Sequence, residues 1–476
     1  MTLDPQNWAE LRQLGHRMID DMFAHLEHVR DRPAWNKMPA DLRARLREPL
    51  PHLPSPPSDV YAAFTDLIEP YSTGNTHPMF MGWVHGAGTA VGMLAEMLAA
   101  GLNANLGGRD HAPIEVERQV IRWCAELLGF PDDASGVLVT GTSMANMIGV
   151  LVARHAALGP EVRHAGLAGA PLVAYASAAA HGCVARAMDF CGLGSDALRL
   201  IPIDSCHRMD LASLVEHIAA DRAAGRRPFL VVGTAGTVDT GAIDDLGAIG
   251  NIARSHGLWF HVDGAFGAMA ALSTKLRPLL HGLSAADSVA FDFHKWLQVP
   301  YDAGCILVRD AARHHAAFAN QAAYLSRATR GTAAGHPWPC DFGPDLSRGF
   351  RGLKVWMTLK VYGADRLGEA VENCCAVARA MEQRIEREPT LELLAPVALN
   401  IVCFRLRAPP ESIDRINREI VADLQEGGIA VPSTTLINGE WAIRAAIVNH
   451  RTTVADADAL VDAVLRVGDH VEAMAG

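Results

Sequence analysis

DSVAFDFHKW, residues 287–296, is the stretch on which the fold turns. Ser288 to Phe291 reads as a short apolar strand, and the chain leaves it through His294-Lys295 ahead of Trp296. A lysine in that place is partly desolvated, which lowers its proton affinity and raises the share of neutral amine able to act as a nucleophile. A lone lysine is ordinarily a solvated surface charge. The context upstream changes that reading. Another apolar strand, Trp259 to Val262, runs into Asp263-Gly264-Ala265, one strand–helix–strand unit earlier. A carboxylate at the end of a buried strand is costly unless a cation or donors meet it, so Asp263 is expected to be paired; a helix cap or a structural salt bridge is the competing reading.

Working outward, short β-rich runs at Val137 to Thr140, Leu172 to Ala176, Phe229 to Gly233 and Cys305 to Val308 alternate with helical patterns at Ala145 to Leu158, His181 to Phe190, Leu211 to Ala224 and Leu246 to His256. This alternation predicts an α/β fold of βαβ units around a mostly parallel central sheet, with ligands at the carboxyl ends of the strands. Before it, apolar residues from Trp8 to Val29 at helical spacing and a helix at Ala40 to Leu46 lead into a connector rich in proline, Pro49 to Pro57. Such an arm cannot bury its own apolar stripe and is expected to pack on the body or on a second subunit. After a long helical stretch, Leu353 to Arg387, a small α+β region follows: strands at Leu399 to Leu406 and Trp441 to Ile447, helices at Glu411 to Gln425 and Ala455 to Val471. The expected division is a helical arm at 1–85, a large cofactor-binding domain at 86–365 and a small C-terminal domain at 366–476.

The 476 residues carry 42 Lys plus Arg against 53 Asp plus Glu, a net charge of −11 with no long basic run, which argues against nucleic-acid and membrane-surface partners. Nine cysteines without a C-x-x-C pair signal neither a metal site nor a disulfide framework, and the acidic N-terminus lacks signal-peptide character, so a cytoplasmic location is expected.

A third polar position joins the acid and the amine. Gly141-Thr142-Ser143 lies between a strand and a helix, where free backbone N–H groups and hydroxyls suit an anion; the same residues also read as an ordinary N-cap. Anion cradle, acid and amine together meet the needs of pyridoxal 5'-phosphate (PLP): a seat for its phosphate, an amine for its aldehyde and a carboxylate that keeps its ring nitrogen protonated.

The chain resembles the group II PLP-dependent amino acid decarboxylases, the aromatic-L-amino-acid decarboxylase-like enzymes with the aspartate-aminotransferase-like fold type I. The matching segments are HPMFMGWV (77–84), GVLVTGTSMAN (136–146), VAYASAAAHGCVARA (173–187), VVGTAGTVDTGAIDD (231–245), HVDGAFGA (261–268), DSVAFDFHKW, AAYLSRA (322–328) and FRGLKVWMTLKVYG (350–363). The resemblance implies that Lys295 is the Schiff-base lysine and Asp263 the partner of the ring nitrogen. It places Ala265 on one face of the ring and His181, which also reaches the substrate carboxylate, on the other. Gly141, Thr142 and Ser143 become the phosphate loop, with His294 beside it and Thr237 near the Schiff base. Tyr324 becomes the proton donor to the α-carbon, on a mobile loop running to about Pro339. A homodimer with its active site at the subunit interface is also implied, with Ser347 where a neighbouring subunit's backbone meets the phosphate.

One departure stands out: Asp292 replaces an Asn that the aromatic enzymes use near the phosphate, so it is expected to point elsewhere or to be protonated. For the substrate, Trp83 with Met79, Phe80, Met81 and Val84 suggests a pocket for an aromatic L-amino acid, although these residues read equally as core. The alternatives are a glutamate or other polar amino acid as substrate, or a decarboxylating aldehyde synthase or aminotransferase; Tyr324, rather than Phe, favours plain decarboxylation. A non-catalytic protein that kept the fold is a further alternative, against which the intact Lys295, Asp263, His181 and Tyr324 speak.

Overall fold

The computed structural model describes residues 2–319 and 328–475. Its centre is a seven-stranded sheet of β1 (Ser135–Val139), β2 (Leu172–Ser177), β3 (Leu198–Ile201), β4 (Arg227–Thr234), β5 (Trp259–Asp263), β6 (Ser288–Asp292) and β7 (Gly304–Val308), in the order β1-β7-β6-β5-β4-β2-β3. Only β7 runs against the rest. The strands are apolar throughout because both faces are covered. β2 sends Leu172, Ala174 and Ala176 into one core and Val173 and Tyr175 into the other, and β4 does the same with Leu230 and Val232 against Val231. Each such Val or Leu side chain, once fully buried, is worth about 1.5–3 kcal/mol. The helix Thr142–Leu158 covers one face, with the helix Cys183–Phe190 beside it.

The second sheet is smaller and wholly antiparallel: β8 (Leu391–Leu393), β9 (Ile401–Leu406), β10 (Ser433–Ile437) and β11 (Glu440–Ala446), in the order β10-β11-β9-β8. It is backed by the helices Ile413–Glu426 and Val454–Ala475. The helix Arg351–Glu386 reaches towards it and is broken at Gly363, whose φ of 74° is open to glycine at little cost. That break divides what the sequence pattern reads as one continuous helix.

The arm comprises the helices Trp8–Glu27, Ala40–Arg45 and Pro57–Leu67. Pro57 sits at the first turn of the third, where its missing N–H costs nothing, so the connector ends one residue sooner than its proline content suggests. Trp8, Leu11, Phe23 and Val60 of these helices are exposed. Downstream of the arm, Met79–Met81 is stitched to the small sheet's side of the molecule: Met81 N–H donates to the carbonyl of Val431, Val431 N–H to that of Met79, and Ala446 N–H to that of Met81. Among the described residues no helix is long and apolar enough to cross a membrane, and all nine cysteines are free, only Cys206 being exposed.

Candidate active site

Five chain segments leave the carboxyl ends of β1, β2, β4, β5 and β6 and meet around a cavity of about 340 Å³. Side-chain alternation explains which residues arrive there. On β5, Trp259, His261 and Asp263 point to one face, towards the helix Thr142–Leu158. On β6, Ser288, Ala290 and Asp292 share a face, and His261 and Asp263 lie in register with Ser288 and Ala290. Lys295 follows one turn after Asp292.

Asp263 is 3% exposed. Its Oδ1 accepts the Ala265 N–H at 3.1 Å and its Oδ2 the Asn146 amide at 3.0 Å, with the Cys183 thiol 3.8 Å away. Burial pushes its carboxyl above the ordinary carboxylate range, opposed by Lys295, by these hydrogen bonds and by His181. A cation seated against it is therefore strongly favoured. Burial beside that carboxylate holds the Cys183 thiol protonated, at about 12.

Asp292 has a different setting. Thr142 N–H, the first of the helix, donates to its Oδ1 at 2.7 Å; Lys295 Nζ lies 3.0 Å and His294 Nε2 3.6 Å from its Oδ2. So of the two sequence-based expectations, that it points elsewhere or is protonated, the first fails. The helix start and the lysine hold it at the loop because both are donors a buried carboxylate needs. Gly304, at the start of β7, makes this crowding feasible: a Cβ there would fall 2.6 Å from Gly141 Cα and 2.7 Å from Asp292 Oδ1. His294 is kept neutral mainly by burial, and Ala303 N–H donates to its Nδ1.

Gly141, Thr142, Ser143, His181, Asp263, Ala265, His294 and Lys295 all line this one cavity. Thr237 does not: its hydroxyl is engaged with Thr240 at 3.0 Å and accepts the Ala242 N–H, shaping the turn after β4, while Thr234 lines the cavity in its place. Ser347 is exposed and lies off the cavity wall. Tyr324 lies outside the described residues. Further along, Asp110 N–H donates to Thr332 O, Arg118 donates to the carbonyls of Gly335 and Pro337, and Trp338 is buried, so residues 332–338 are tied to the body of the protein in this structure. Trp338 supplies the reason, as an indole of that size gains most by being buried.

Sequence reasoning missed Asn146, Cys183, Thr234 and Arg444. Asn146 is four residues after Thr142, hence on the same helix face, and that spacing was a usable signal. Arg444, on β11, had no local signal. Its buried guanidinium donates to the carbonyls of Trp83, Val238 and Asp239 and to Ser433, joining the cavity mouth to the small sheet.

The residues present fit PLP. The Thr142 hydroxyl is buried without a partner beside the helix start, a phosphate acceptor's natural donor, and Thr234 Oγ1 is likewise unpartnered. A phosphate seat, an amine and a buried acid at the carboxyl ends of a largely parallel sheet define a class, the fold type I PLP enzymes. The chain matches the family model described as "Pyridoxal-dependent decarboxylase conserved domain" over residues 39–407. It is 33% identical to an aromatic-L-amino-acid decarboxylase of Bacillus atrophaeus, over 93% of this chain and 92% of that one. It is 29% identical to a phenylacetaldehyde synthase of Arabidopsis thaliana, over 94% and 93%. The crystal structure of Oryza sativa TDC with PLP and tryptamine superimposes with a TM-score of 0.90 at 26% identity, covering 98% of this chain and 99% of that one. The chain belongs to the PLP-dependent decarboxylases of group II: a fold type I enzyme with a helical N-terminal arm that uses PLP to decarboxylate an amino acid.

Proposed function

We propose that the substrate is an aromatic L-amino acid, converted to its amine and carbon dioxide. The observation that carries this reading is the wall of the cavity mouth. His85, Phe80 and Trp83 form a three-ring cluster, with His85 5.7 Å from each of the other two and those 6.1 Å apart, and His85 meets Tyr301 edge-on at 5.9 Å; Val84 and Val238 complete an apolar lining. Burial and the nearby Lys295 keep His85 neutral. Among the described residues lining the cavity, Lys295 is the only Lys or Arg, so a distal carboxylate on the substrate finds no second cation. The relatives named for aromatic amino acids support the same reading.

The residues divide the work as follows. The Thr142 and Ser143 hydroxyls and the Ser143 N–H would hold the phosphate, and Ala265 and His181 would flank the ring. When bound, PLP supplies an aldehyde for the amine and a protonated ring that accepts the electron pair of the broken C–C bond. Asp263 stabilises the proton on the ring nitrogen. Lys295 would supply the amine that holds the aldehyde between turnovers, and its pairing with Asp292 keeps that amine in position. His181, exposed in the cavity with Cys183 N–H donating to its Nδ1, presents its other nitrogen to the substrate carboxylate. Tyr324 returns a proton to the α-carbon.

The exposed apolar residues of the arm fit a homodimer with the site at the subunit interface, and residues 1–85, 86–365 and 366–476 are assigned as arm, cofactor-binding domain and closing domain of a cytoplasmic enzyme. A panel of L-amino acids scored for carbon dioxide and amine tests the substrate reading. Preference for phenylalanine, tyrosine or tryptophan supports it; preference for glutamate, or release of an aldehyde with ammonia, sinks it. Light scattering at assay concentration tests the dimer, which a fully active monomer would contradict.

A further inference from the structure

Behind Asp263 runs a chain of polar groups that the reaction as described does not use. Trp259 Nε1–H donates to Ser288 Oγ at 2.8 Å; Ser288 Oγ lies 2.7 Å from His261 Nδ1; His261 Nε2 lies 2.8 Å from Asn146 Oδ1; and Asn146 Nδ2 donates to Asp263 Oδ2 at 3.0 Å. None of the five residues is more than 6% exposed.

The direction of every bond follows from the ends. An indole N–H can only donate, and an ionised carboxylate can only accept. Asn146 must therefore turn its NH₂ to Asp263 and its carbonyl to His261. That carbonyl requires a proton on His261 Nε2, which leaves Nδ1 as an acceptor for the Ser288 hydroxyl. The Ser288 oxygen, having donated its proton, accepts from Trp259. All donors point the same way, and the one imidazole is neutral in a single tautomer. Burial independently holds His261 neutral, at about 3. A second feature is built around the same ring: a Cβ on Gly149 would fall 2.7 Å from His261 Cε1, so the helix carries glycine where the imidazole lies against it.

We propose that His261 is a positioning residue for Asp263, its Nε2–H fixing the Asn146 amide so that an N–H, and never the carbonyl, faces the carboxylate. The inference rests on the reading that Asp263 faces the PLP ring nitrogen. Asn146 has two orientations of equal shape; an ionised Asp263 selects one of them, and the His261 proton selects the same one even when Asp263 is protonated. Reversed, it would set its oxygen against the carboxylate oxygen, and Asp263 would hold a proton itself rather than stabilise one on the ring. The charged or titratable groups facing Asp263 are Lys295 and His181 across the cavity and Cys183 beside Asn146; those facing His261 are all uncharged. The orientation is thus backed from the His261 side by a group whose charge does not change.

The test compares His261→Leu, Ser288→Ala, His261→Gln and Asp263→Asn as purified holoenzymes. The readouts are the PLP dissociation constant and the pH midpoint of the lysine-bound cofactor's absorbance change. His261→Leu is expected to weaken PLP binding about tenfold and to raise the midpoint by about one unit, because a less positive ring repels a nearby proton less. Ser288→Ala, the gentler change, should move both in the same direction, and His261→Gln, which can donate and accept in the same places, should restore them. If His261→Leu does not fold, Ser288→Ala decides. An unmoved midpoint and affinity in a folded His261→Leu or Ser288→Ala overturn the inference, provided Asp263→Asn moves them. An unmoved Asp263→Asn instead overturns the placement of Asp263 against the ring.

Discussion

The cavity holds two carboxylates on adjacent strands, and they are treated in opposite ways. Asp263 is met only by uncharged donors, the Asn146 amide and the Ala265 N–H, with a neutral histidine behind. Asp292 is met by a lysine ammonium and the first N–H of a helix. The first carboxylate is held in place while its cation is left for an incoming ligand to supply. The second already has its cation, and loses it whenever Lys295 is engaged elsewhere. Equal residue types at equal depth can thus carry one fixed and one exchangeable charge, according to whether the partner is a dipole or an ion.

Lys295→Ala removes the exchangeable partner and gives the largest effect expected. Turnover should fall to background and the absorbance of the lysine-bound cofactor should vanish; a yellow, active variant would refute the assignment. Asp263→Asn removes the fixed charge, and kcat should drop by about 10²–10³, the scale seen when one preorganised electrostatic contact is lost. A variant with unchanged kcat would show that the two acids do not differ in the way described. Asp292→Asn keeps an acceptor for Thr142 while removing a negative charge from the phosphate seat, so PLP should bind about tenfold more tightly, equivalent to about 1.4 kcal/mol. Weaker binding, read by equilibrium dialysis, would show that the carboxylate supports the phosphate instead.

The last effect concerns stability rather than the reaction. His261 is neutral in the fold at a value of about 3 against an ordinary 6.5. The unfolded chain therefore takes up this proton first as pH falls. The contribution is complete above pH 6.5 and shrinks by about 1.4 kcal/mol per unit as pH drops from there towards 3. Urea midpoints at pH 7, 6 and 5 should fall less steeply for His261→Gln than for the native protein. Parallel slopes would mean that His261 is not held neutral.

Much of this was legible in the residues. The strands of β5, β6 and β7 are runs of Val, Phe, Ile and Leu that bury both faces, and such runs declare themselves. β3, with Arg199 and an exposed Leu200, and β10, with Ser433, Thr434 and Thr435, did not: both are edge strands, half open to water, whose composition resembles a loop. Within the site, residues just after strands were readable because topology concentrates chemistry there. Asp263 and Lys295 are of this kind. His261 stands two residues before Asp263, and that interval alone places both on one strand face; the interval was present but its meaning depends on the helix opposite. The side chain of Asp292 could not be placed from its neighbours in sequence, since its donors come from residue 142 as well as 295. Thr237 shows the converse, a hydroxyl beside the right loop that local hydrogen bonding turns away.

The backbone ladder from Met79–Met81 to Val431 and Ala446, reinforced by Arg444, joins Phe80, Trp83 and His85 to the small sheet. Phe80, Trp83 and His85 are thus braced by the small sheet, while Asp263 ends one strand of the large sheet and Lys295 follows another, and Arg444 bonds to both sides. Substitutions in 77–85 would therefore reshape the cavity mouth from the small-sheet side without altering the strands that carry Asp263 and lead to Lys295.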